Sequence, residues 1–95
     1  MIVGVLKLEL QLLSPSSLKE KRGIVRKILA RIRSRFPVSA AEVDCHDKWQ
    51  LAVIGVSMVT GSTTSFEQLY EKIEQDIEGT GLALVGRRLT DILHY

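Results

Sequence analysis

An α+β sandwich, four antiparallel strands with two helices packed on one face, is the fold class that this 95-residue sequence predicts. Three observations lead there. Apolar and polar residues alternate in the opening stretch, apolar residues recur at three- and four-residue steps in two later stretches, and turn-forming residues separate the segments. The chain is long enough for one modest core and not for two. A composition of 45% hydrophobic and 25% charged residues is that of a globular domain rather than a disordered chain.

The elements follow in order. Ile2, Leu6, Leu8, Leu10 and Leu12 alternate with Lys7, Glu9 and Gln11, the period of a half-buried strand. MIVGVLKLELQLL has no basic leader or small-residue cleavage site, so it reads as that strand and not as a signal peptide. After SPSS, Ser17 and Glu20 have capping-box spacing, with the carboxylate expected to reach back to the amide of residue 17. Leu18, Val25, Ile28, Leu29, Ile32 and Phe36 then form one apolar helical stripe, which Pro37 ends. VSAAEVDC and WQLAVIGVSMV, separated by HDK, predict a hairpin. Thr64 and Glu67 repeat the capping spacing before a second stripe of Phe66, Leu69, Tyr70, Ile73 and Ile77, stopped by Gly79 and Gly81. LALVGRRLTDILHY completes the set as a fourth strand with an irregularity near Gly86, where alternation breaks.

The order strand, helix, strand, strand, helix, strand gives a βαββαβ, ferredoxin-like sandwich in a single domain spanning residues 1–95. One sheet face stays uncovered. Val3 and Val5 are expected on it, joined by Trp49, Leu51 and Val53 from the third strand, as the interface of a homodimer.

MIVGVLKLEL, SLKEKR and RFPVSAAEVDCHDKWQLAVIGV resemble the YlxP-like family of small uncharacterised bacterial proteins. The resemblance covers most of residues 1–60 and fades beyond. It implies a ferredoxin-like fold and no established activity, so it transfers no catalytic residue. Genes of the family often lie beside those for translation initiation and ribosome maturation factors, which implies an RNA setting.

Charge is unevenly distributed. Residues 17–36 carry Lys19, Lys21, Arg22, Arg26, Lys27, Arg31, Arg33 and Arg35 against Glu20, a net +7, whereas residues 64–78 carry a net −4. On a helical wheel Arg22, Arg33, Arg26 and Lys19 fall about 60° to 120° from the centre of the buried stripe. Lys27, Arg31 and Arg35 make a second rail at four-residue steps. Like charges so spaced repel, and two basic rails suit a ligand that needs several cations at intervals, such as the phosphates of RNA or the ribosome. The competing expectation is that Glu42, Asp44 or the acidic second helix neutralises these groups within the fold. Base stacking on the sheet is disfavoured, because the central strands offer only Trp49.

Asp44-Cys45-His46-Asp47 is the most chemical-looking cluster, yet strand alternation keeps these four side chains from converging on a metal. Cys45 is expected as core filler, and the aspartates as turn formers. No glycine cradle, CxxC pair or Walker loop occurs. A small binding protein that is not an enzyme is therefore expected, with no cofactor, metal, membrane partner or small-molecule substrate. A lone cysteine and the absence of any long apolar run favour the cytoplasm. Two alternatives stay open: a protein-interaction module using the open sheet face, and an enzyme acting on a phosphate or acyl group near the first helix's N-terminus through Ser16, Ser17 and free amides.

Overall fold

A computed structural model of the chain describes residues 1–62 and 66–95. The elements run β1 (Ile2–Leu12), α1 (Leu18–Arg35), β2 (Ser39–Asp44), β3 (Leu51–Thr60), α2 (Phe66–Gly79) and β4 (Ala83–His94). The sheet order is β2-β3-β1-β4, all antiparallel, so the predicted βαββαβ arrangement is the one observed. No helix among the described residues is long and apolar enough to cross a membrane.

Even-numbered β1 residues Leu6, Leu8, Leu10 and Leu12 are buried with Ala52, Ile54 and Val56 of β3. The same core holds Val25, Ile28, Leu29 and Ile32 from α1 and Phe66, Tyr70, Ile73 and Ile77 from α2. Both helices thus cover one face. Strand alternation puts Gly4 on that face, beneath the Phe66 ring, where a Cβ would collide with the ring. The leading MIVG motif therefore has a packing cause.

Helix α1 is capped by Ser17, whose hydroxyl accepts from the Glu20 amide at 3.1 Å. The Glu20 carboxylate reaches back one residue further than predicted, accepting from the Ser16 amide at 2.6 Å and from the Ser16 hydroxyl. These two bonds hold the Glu20 carboxyl below the usual range, the hydroxyl bond being the larger cause. Phe36 leaves helical geometry at the C-cap, before Pro37. The second predicted capping box begins at Thr64, outside the described residues. Gly81 takes the left-handed conformation, φ 72°, that turns the chain from α2 toward β4. The irregularity expected near Gly86 is present: the β1–β4 register shifts between Leu8 and Leu10, opposite Gly86 and Arg87.

Candidate nucleic-acid interface

The fold sorts the eight predicted basic contacts into two sets of four. Lys19, Arg22, Arg26 and Lys27 are exposed on α1, with no ion pair or side-chain hydrogen bond among the described residues. The other four are engaged. Arg31 Nε donates to Asp76 Oδ2 at 2.8 Å and Arg35 Nη1 to Asp76 Oδ1 at 3.0 Å, so one carboxylate of α2 holds both guanidinium groups. Arg33 Nε donates to the Ala40 carbonyl oxygen at 3.1 Å, tying the end of α1 to β2.

Lys21 corrects the sequence reading outright. It has 0% exposure and cannot reach a phosphate. Its Nζ donates to Glu42 Oε2 at 2.6 Å and to the Cys45 carbonyl oxygen at 2.7 Å. A buried ammonium needs such acceptors, and one turn of a helix facing β2 supplies the approach. The internal neutralisation weighed from the sequence is thus realised for Lys21, Arg31 and Arg35, by Glu42 and Asp76. Asp44 instead accepts from the Cys45 amide at 2.7 Å, shaping the turn.

That turn corrects a second expectation. Cys45 has φ 61° and is only partly buried, outside the core cluster, so it is a turn residue and not core filler. The Lys48 amide donates to its carbonyl at 3.1 Å, the same oxygen that Lys21 holds. His46 Nε2 lies 3.2 Å from the Glu42 carbonyl oxygen, directed at backbone. Among the described residues no group of three His, Cys, Asp or Glu side chains could hold a metal.

The uncovered sheet face carries Val3, Val5, Lys7, Glu9 and Gln11 from β1 opposite Val59, Ser57, Gly55, Val53 and Leu51 from β3. Val3, Val5 and Leu51 are half-buried there. Val53 is corrected: at 4% exposure it offers little surface to a partner. Trp49 is corrected too, since β3 begins at Leu51 and Trp49, half-exposed, sits in the preceding loop. The described outer face of the two central strands therefore presents no aromatic ring. A shallow apolar groove of about 320 Å³ runs beside it between Val5, Ala41, Val43 and Gly55.

The N-terminus of α1, considered for an anionic substrate, is already occupied by the Glu20 carboxylate bonded to Ser16. An external phosphate would have to displace a negative charge that is covalently in place.

Comparison with known proteins gives the family. The family described as a protein of unknown function (DUF503) matches residues 3–87. An uncharacterised protein, YlxP, of Bacillus subtilis (strain 168) is 31% identical over 72 residues, covering 76% of this chain and 78% of that protein. Nothing in either description assigns an activity. With the matched segment running from β1 into β4, the chain belongs to the DUF503 family of YlxP-like proteins.

Proposed function

We propose that this protein is a small RNA-binding protein without enzymatic activity, contacting phosphates through Lys19, Arg22, Arg26 and Lys27. One observation carries the reading: these four cations have no ion-pair partner among the described residues, while Arg31 and Arg35, with the same charge on the same helix, do. Lys19 and Arg26 are separated by seven residues, about 10 Å along the axis, so they reach successive backbone phosphates rather than one. The aromatic-free sheet argues against stacking, so recognition runs along the backbone and reads shape. The RNA setting implied by the family's genomic neighbours points the same way.

Titration of single-stranded RNA at several salt concentrations tests this. With four phosphate contacts the log affinity falls with log salt at a slope near −3. Arg22→Glu combined with Arg26→Glu abolishes binding. A flat salt response sinks the reading, and so does affinity unchanged by the double reversal. Retention of an acidic protein after nuclease treatment would instead favour the interaction-module alternative.

A further inference from the structure

We propose that the free edge of β4 is the seam of a homodimer, paired antiparallel about a twofold axis at Leu89. The inference stands apart from RNA binding. β4 is an outer strand of twelve residues, with Leu89 at 48%, Ile92 at 39% and Leu93 at 37% exposure. A long edge carrying exposed apolar residues is a template for another strand.

The direction of its backbone groups follows from the pairing with β1. The Met1 amino group donates to the Tyr95 carbonyl at 2.7 Å and the Tyr95 amide returns to Met1 at 2.8 Å, so these residues form a hydrogen-bonded pair. Such pairs alternate along an antiparallel ladder. Leu93, Asp91 and Leu89 therefore face β1, opposite Val3, Val5 and Lys7. Arg88, Thr90 and Ile92 turn their N–H and C=O groups away from the sheet. The Ile92 amide agrees, donating to its neighbour Asp91 Oδ1 at 2.8 Å. Beyond the register shift the edge is closed: the Val85 amide donates to Glu78 Oε2 of α2 at 3.1 Å. Open edge thus begins at Arg88.

Charge chooses the register. An axis at Leu89 sets Arg87 opposite the second copy's Asp91, twice, and Leu89 opposite itself, all on the outer face. Arg88 and Thr90 then exchange backbone hydrogen bonds across the seam. An axis at Asp91 or at Arg88 would set like charges together, and one at Thr90 would set Leu89 against Asp91. Arg87 is exposed and makes no ion pair among the described residues, whereas Arg88, on the inner face, is held by Glu67 at 3.1 Å and Glu74 at 3.6 Å. The result is a continuous eight-stranded sheet with both helical layers on one side.

The test is charge exchange. Sedimentation equilibrium of the wild-type chain should show a concentration-dependent dimer. Arg87→Asp and Asp91→Arg, alone, should each weaken it about tenfold or more, since both symmetric pairs become repulsive. Combining them should restore it, and an equimolar mixture of the two single variants should associate. Circular dichroism and melting confirm folding, since both side chains are exposed. A chain that stays monomeric at millimolar concentration overturns the proposal. A dimer indifferent to both single reversals also overturns it and assigns the second copy to the open sheet face instead.

Discussion

Lys21 Nζ lies 2.6 Å from Glu42 Oε2 inside the protein, a buried ion pair that joins α1 to β2. The same ammonium holds the Cys45 carbonyl, so one side chain organises the helix, the strand and the following turn. Lys21→Ala should destabilise the fold by about 3–5 kcal/mol, because it leaves Glu42 unpaired where water reaches poorly. Lys21→Met with Glu42→Leu should recover much of that loss. Urea denaturation measures both, and a double variant no better than Lys21→Ala would show that packing outweighs charge. Folded Lys21→Met should keep the wild-type salt slope for RNA, in contrast to the surface reversals.

Gly4 and Phe66 meet without room between them. Gly4→Ala forces the ring or the strand to move, with an expected cost of about 1–3 kcal/mol. Phe66→Leu in the same chain should lessen the cost of Gly4→Ala, although it lowers stability by itself. Thermal melts of the four chains decide it: additive losses would mean that the ring is not the obstacle.

Cys45 holds a left-handed conformation without being glycine. That geometry costs an ordinary side chain about 1–2 kcal/mol. Cys45→Gly should therefore raise stability by about 1 kcal/mol while keeping the carbonyl that Lys21 uses. Cys45→Val should lower it by a similar amount. Equal midpoints for the two would remove backbone strain from the account.

The Glu20 carboxyl is held below its ordinary value of 4.5 by the Ser16 hydroxyl and then the Ser16 amide. A carboxyl depressed in the folded state adds stability above its unfolded value, and that contribution disappears as pH falls through the folded value. Ser16→Ala removes the larger cause. Its Glu20 carboxyl should titrate closer to 4.5, followed by NMR of the side-chain carbon. An unchanged titration curve would leave the hydroxyl without a role.

Much of the fold was legible because its signals are local. Leucines at every second position of β1, Ser17 with Glu20, and Pro37 after Phe36 each act within a few residues, and each lies where pattern alone puts it. The register shift near Gly86 was legible for the same reason. The basic surface was legible only as composition. Helical spacing placed Arg31 and Arg35 on one rail, but the carboxylate that holds them is Asp76, more than forty residues away. Lys21 escaped because a lysine inside an apolar stripe resembles a charged flank until Glu42 and the Cys45 carbonyl are brought to it. Trp49 and Val53 missed by small margins: a strand starting two residues late, and an outer-face valine covered by its neighbours.

The register shift opposite Glu9 makes residue count along β4 a structural quantity in its own right. Ala83 and Val85 pair inward with Leu12 and Leu10, while Leu84 and Leu89, five positions apart, share the outer face. Strict alternation would have set those two leucines on opposite sides. Deleting Gly86 would leave Arg87 alone opposite Glu9 and remove the bulge, with Leu84 still facing outward and Arg88 still facing its glutamates. Length changes are therefore absorbed at Gly86, whereas one inserted or deleted residue on either side of it would turn the neighbouring side chains to the wrong face.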